Sequence, residues 1–150
     1  LAMWQAIQGT QSGPKVGASH AIGHVLGGTY DVPHGETSCV ALPAVLEWNA
    51  RDPNALPRQQ LVCDVFCQLA REHSGDVAAR EATILSASEH VGSLVRELGL
   101  PCSLVEVGVA PDMLEDCARR TMQDRLVDTN PRPLSGWQDA LEILKLAATK

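Results

Sequence analysis

Three of the five histidines in this 150-residue chain, His20, His24 and His34, fall within fifteen residues. His20 and His24 are four apart, so on a helix they share one face. The Gly27-Gly28 pair and the turn through Thr29-Tyr30-Asp31-Val32-Pro33 then let the chain fold back and bring His34 near them. Neutral imidazole is a common ligand of zinc, iron and nickel, so histidines clustered at helix ends suit a divalent metal. Spacing alone is weak evidence, because an HxxxH pair arises by chance on many helices and more often serves packing or the solvated surface. A catalytic metal also takes about three protein ligands and an open position. Neither nearby carboxylate completes that set, since Asp31 suits the turn and Glu36 the positive end of the helix that follows.

The elements that must position these side chains read as helices. A first one runs from the start of the chain to near Gly9, followed by a polar connector, Gln11-Ser12-Gly13-Pro14, with two helix breakers. The histidine pair lies on a second, over residues 15–26, which is expected to stop at Gly27-Gly28. His34 or Gly35 opens a third, which Pro43 should kink or break. Residues 58–73 place Leu61, Val62, Val65, Phe66, Leu69 and Ala70 at the period of an amphipathic helix. Asp76 can cap a long helix over residues 77–98, with Ile84, Leu85, Val91, Leu94, Val95 and Leu98 as its buried stripe and Gly99 as its stop. The run Leu104-Val105-Glu106-Val107-Gly108-Val109 has no partner strand and reads as a loop. Pro111 opens a helix through Arg125, and Ser135 with Gln138 forms a capping-box pattern at the start of the last one.

Composition narrows the function classes. Apolar residues are 45% and charged residues 20% of the sequence, as in an ordinary globular domain. Aromatic residues are only 3%, so the core is built from aliphatic side chains and suits helix-on-helix packing, an all-α fold. A net charge of −6 without a basic run excludes the electrostatic footprint of a nucleic-acid binder. Cys39, Cys63, Cys67, Cys102 and Cys117 are odd in number and lack CxxC spacing, which argues against a disulfide framework or a zinc ribbon. With no signal-peptide pattern and no membrane-length apolar stretch, a cytoplasmic protein without membrane contact is expected. His73 and His90 read as structural or solvated, Cys63 and Cys67 as core packing, and Arg119, Arg120 and Arg125 as one solvated face.

The segment Gly17-Ala18-Ser19-His20-Ala21-Ile22-Gly23-His24-Val25-Leu26-Gly27-Gly28-Thr29-Tyr30-Asp31-Val32-Pro33-His34-Gly35-Glu36-Thr37 resembles the signature of iron-containing alcohol dehydrogenases. Its HxxxH, LGG and PHGE elements match together. Leu42-Pro43-Ala44-Val45-Leu46-Glu47-Trp48-Asn49 and Thr129-Asn130-Pro131-Arg132-Pro133-Leu134 are similar to the family pattern too. That family includes maleylacetate reductases and is related in fold to dehydroquinate synthase and glycerol dehydrogenase. It joins an N-terminal α/β nucleotide-binding domain to an all-helical one.

The resemblance implies a helical bundle of that type. Residues 1–13 would be the remnant of a preceding helix and connector, and residues 14–150 the C-terminal helical metal-binding, catalytic domain. It implies His20 and His34 as metal ligands and His24 in the cleft near nicotinamide and substrate. The remaining ligands, an Asp and a His, would lie before this sequence begins. The metal would be iron, with zinc as the alternative, although some maleylacetate reductases work without a tightly held metal. The implied reaction is hydride exchange between NAD(P)H and an alcohol, aldehyde or maleylacetate-like keto-acid, with the metal acting on the carbonyl oxygen. No strand leading into a glycine-rich phosphate loop occurs, so the partner would be an N-terminal nucleotide-binding domain and the chain alone is expected to be inactive. A homodimer is left open. Two alternatives remain, a non-catalytic helical binding or assembly module and an unrelated metal-binding helical protein, the latter requiring a further ligand within the chain.

Overall fold

The computed structural model describes residues 2–13, 15–73 and 86–149, and every regular element among them is helical. The α-helices are α1 (Ala2–Gln11), α2 (Ala18–Tyr30), α3 (His34–Asn49), α4 (Leu56–His73), α5 (Ala87–Glu97), α6 (Leu114–Thr121) and α7 (Trp137–Ala148). Two 3-10 turns, Pro111–Met113 and Arg125–Thr129, bracket α6. The expectations placed on Leu1, Pro14, Asp76, Ile84 and Leu85, and on the side chain of His73, lie outside the described residues.

Helix α3 sits at the centre and packs against α2, α5 and α7, while α6 closes on α2 and α7 and α4 lies on α5. The core is aliphatic, as the composition demands: Ile22, Leu26, Val40, Leu104, Ile143 and Leu144 are buried around Trp48. Each such side chain contributes roughly 1.5–3 kcal/mol by leaving water. The segment at 104–109 is indeed a turn and not a strand, with Val109 N–H closing on Leu104 O at 2.9 Å.

Several boundaries differ from the sequence reading. Helix α2 starts at Ala18 and runs through Gly27-Gly28 to Tyr30. Its left-handed terminal residue is Asp31, at φ 56°, and Val32 N–H returns to Leu26 O at 3.2 Å. A short polar side chain tolerates that conformation, so the glycine pair is not where the helix must end. Pro43 lies inside α3 without ending it, and its carbonyl accepts a 2.7 Å hydrogen bond from Ser88 Oγ on α5. The helix expected over residues 77–98 has a start at residue 86. There Ser86 and Glu89 form a reciprocal capping box, Ser86 N–H donating to Glu89 Oε2 at 2.7 Å.

The capping box expected of Ser135 and Gln138 is not formed. Gly136 occupies the N-cap of α7, and the Asp139 carboxylate accepts Ser135 N–H at 2.7 Å. The apolar stripe expected to bury α4 is turned outward in part, with Leu61, Val65 and Leu69 55%, 56% and 47% exposed. Helix α6 stops at Thr121, four residues before the expected end at Arg125. That early stop turns the chain at Met122-Gln123 and delivers Asp124 to the face of α2.

Candidate functional site

Helices α2 and α3 meet at Gly23. A Cβ there would lie 3.0 Å from Thr37 Oγ1, so the missing side chain is what lets the two backbones approach. Thr37 is buried and donates its hydroxyl hydrogen bond to His34 O at 2.8 Å. His20 and His34 each precede their contact residue by three positions and so lie within one helical turn of it. His20, half-buried, lines a cavity of about 260 Å³ together with Ser38, Leu42 and Val45 of α3. Ser38 follows His34 by one turn, and His34 itself is exposed as the first residue of α3.

No group of three or more His, Cys, Asp or Glu side chains is placed for a metal among the described residues. Two imidazoles within a turn of one contact fit a nitrogen-seeking divalent ion, but only as part of a ligand set. Neither Asp31 nor Glu36 completes it.

His24 stands on the outer face of α2. Its Nδ1 lies 2.7 Å from Asp124 Oδ2, and the His24 and Asp124 side chains are 52% and 21% exposed. The second oxygen, Asp124 Oδ1, accepts Leu126 N–H at 2.9 Å and caps the 3-10 turn Arg125–Thr129. That N–H foremost, and then His24, hold the Asp124 carboxyl below its ordinary range against the effect of burial. Together with Gly28, Thr29, Arg120 and Gln123 the pair lines an open cavity of about 350 Å³.

Asn130 fixes the root of α2. Its Oδ1 accepts Ala18 N–H, at 3.2 Å, while Nδ2 donates to Asn49 Oδ1 and to Arg132 O, both at 2.7 Å. Gly17 is required beside it, because a Cβ would lie 2.8 Å from Asn130 Oδ1. Arg132 lies over the Trp48 ring at 3.5 Å and donates to Trp48 O at 3.1 Å, joining the same loop to the end of α3. The sequence reading gave no role to Gly23, Asp124 or Asn130. A glycine between two histidines on a helix was the one local sign available, and the other two act across about a hundred residues.

The remaining polar residues behave structurally. His90 stacks on Phe66 at 4.9 Å, Cys63 is buried, and Arg119 covers Trp137 at 4.0 Å while pairing with Glu115. Arg120 binds Asp116 at 2.6 Å and holds that carboxyl below its ordinary range. The Tyr30 hydroxyl donates to Asp116 Oδ2 at 3.2 Å. Burial first, then the neighbouring Cys117 and Asp116, pushes the Tyr30 phenol up to about 12, and burial raises the Cys117 thiol likewise to about 12. No described helix is long and apolar enough to cross a membrane.

Comparison with known proteins gives a consistent result. Residues 5–148 match the Fe-containing alcohol dehydrogenase family, C-terminal. The chain is 32% identical over 143 residues to Dehydrogenase FUM7 of Gibberella moniliformis, covering 89% of this chain and 32% of that protein. It is 33% identical over 133 residues to Maleylacetate reductase 1 of Cupriavidus pinatubonensis, covering 89% of this chain and 31% of that protein. Among solved structures, an iron-containing alcohol dehydrogenase from Corynebacterium glutamicum superposes with a TM-score of 0.65 at 25% identity, over 88% of this chain and 32% of that one. The chain thus spans about a third of the length of the curated relatives it matches.

Proposed function

The chain belongs to the Fe-containing alcohol dehydrogenase family, and from that premise we propose that it forms the helical half of an oxidoreductase active site. Its His20 and His34 would hold a divalent metal, iron or zinc, and His24 would serve the proton that accompanies hydride transfer. The observation that carries this reading is the Gly23–Thr37 contact, which sets the two ligand-bearing helices against each other within a turn of both histidines. The shared cavity of His20 and Ser38 supports it, since His34 lies one turn up the same stripe of α3.

The substrate class is an alcohol, an aldehyde or a keto-acid of the maleylacetate type, exchanging hydride with NAD(P)H. A bound metal would polarise the carbonyl or alcohol oxygen as a Lewis acid. His20 and His34, as neutral imidazoles on packed helices, would fix its place. His24, on the open face beside the cavity of Asp124, would take the alcohol proton in oxidation and return it in reduction. The described residues offer no glycine turn between strand and helix for a pyrophosphate, so the nucleotide and the two further metal ligands are assigned to the part of the protein that the relatives carry before this region.

Metal titration of the chain tests the reading. Calorimetry and elemental analysis with Zn²⁺ and, without oxygen, Fe²⁺ should show weak binding that disappears in a His20→Ala, His34→Ala double variant of unchanged helicity. A Co²⁺ titration should broaden the NMR signals of those two imidazoles before the others. Tight binding that survives both substitutions overturns the ligand assignment. No binding at all, with the fold intact, favours the non-catalytic module.

A further inference from the structure

We propose that Asp124 is a positioning residue that sets which ring nitrogen of His24 carries the proton. The proposal rests on the placement of His24 in the cleft but concerns a residue outside the histidine cluster. An ionised carboxylate only accepts hydrogen bonds, so the 2.7 Å contact with Asp124 Oδ2 requires the hydrogen on His24 Nδ1. The neutral ring then has Nε2 as its open lone pair, and no protein partner meets Nε2 among the described residues. In that tautomer Nε2 can accept a proton from a substrate hydroxyl and give it back. The opposite tautomer would present a donor where an acceptor is needed.

Three features make Asp124 suited to this. Its other oxygen is held by Leu126 N–H at 2.9 Å, so the carboxylate is oriented before His24 meets it. The 3-10 turn that it caps is itself tied to the root of α2. The Thr129 hydroxyl donates to Val16 O, and Asn130 accepts Ala18 N–H. Histidine and carboxylate therefore ride on one braced unit, although a hundred residues separate them. Finally, the nearest cation of the cavity wall, Arg120, is engaged by Asp116 at 2.6 Å and does not compete for the Asp124 carboxylate. An exposed contact of this kind contributes little to stability. Its consequence is orientation, as with the carboxylates that fix histidine tautomers behind metals and nucleophiles.

The variant Asp124→Asn separates the two functions of the side chain. Asparagine keeps an oxygen for Leu126 N–H, so the cap and the fold persist. Its amide nitrogen, turned to His24, can only donate, which drives the ring hydrogen to Nε2. Long-range 1H–15N NMR of the neutral imidazole reads this directly on the chain without metal or substrate. The expected result is predominantly Nδ1–H in the native chain and predominantly Nε2–H in the variant, with melting temperatures within a few degrees of each other. A native His24 in the Nε2–H form, or an unchanged tautomer in the variant, overturns the proposal. In the complete enzyme the same variant should lower kcat roughly 10²- to 10⁴-fold while leaving KM nearly unchanged, as the loss of aligned acid–base catalysis does. An inverted tautomer with undiminished turnover would leave Asp124 as the positioning residue and overturn instead the place given to His24 in the chemistry.

Discussion

Helices α2 and α4 both carry an apolar stripe at helical spacing, and the molecule uses the two stripes differently. On α2, Ala18, Ala21, Ile22 and Leu26 are wholly enclosed by α3 and α6, and Gly23 brings the backbone of α3 close. On α4, Cys63 turns inward, whereas Leu61, Val65 and Leu69 face outward and are about half exposed. A period of 3.6 residues shows that a helix has an apolar face, but burial depends on which neighbours arrive to cover it. The helices with small residues at their contact have close neighbours and therefore little freedom. That is where His20 and His34 stand, each within a turn of the Gly23–Thr37 contact.

The sharpest way to break this comparison is to remove a methylene cluster from the enclosed side. Leu26→Ala takes a fully buried side chain out of the contact of α2 with its neighbours and should lower the unfolding free energy by about 2–5 kcal/mol in urea titration. A loss below about 1 kcal/mol would mean that this side of the molecule is as loosely covered as α4. Gly23→Ala sharpens the point at smaller amplitude. Alanine gains about 1 kcal/mol of helix propensity, but its methyl would sit 3.0 Å from Thr37 Oγ1. Overpacking of that kind costs roughly 1–3 kcal/mol, so the net loss should be about 1 kcal/mol. The informative readout is the histidine-dependent metal affinity, which should fall by about tenfold or more as the helices separate. Unchanged affinity would show that the Gly23–Thr37 contact does not set the spacing of His20 and His34.

Much of this was legible in the sequence, and the omissions share a cause. The helical class and the loop at 104–109 follow from local period and composition, and the family match agrees with the resemblance of the histidine segment. What local patterns could not give is where a helix yields to tertiary contact. Asp31 takes the left-handed position in place of a glycine because Val32 is drawn back onto the core, and Val32 is buried. The end of α6 at Thr121 leaves Asp124 beside His24, one hundred residues away in sequence. Asn130 belongs to a segment similar to the family pattern, yet its partners Ala18 and Asn49 are visible only once the chain has folded. Side chains that brace a site at long range leave no periodicity to read.

The smallest effect is expected on α4, and its size is the argument. Val65 is 56% exposed, so truncating it removes less than half of a valine's burial, under about 1 kcal/mol. Alanine returns up to about 0.5 kcal/mol in helix propensity, because a branched β-carbon restricts rotamers against the preceding turn. The two effects oppose each other, and Val65→Ala should therefore shift stability by no more than about 0.5 kcal/mol, with the urea midpoint nearly unmoved. Urea titration of the variant beside Leu26→Ala makes the comparison on one scale. Should Val65→Ala cost 2 kcal/mol or more, the outward stripe of α4 would have to be covered in solution, and the contrast between the two helices would be one of partners and not of packing.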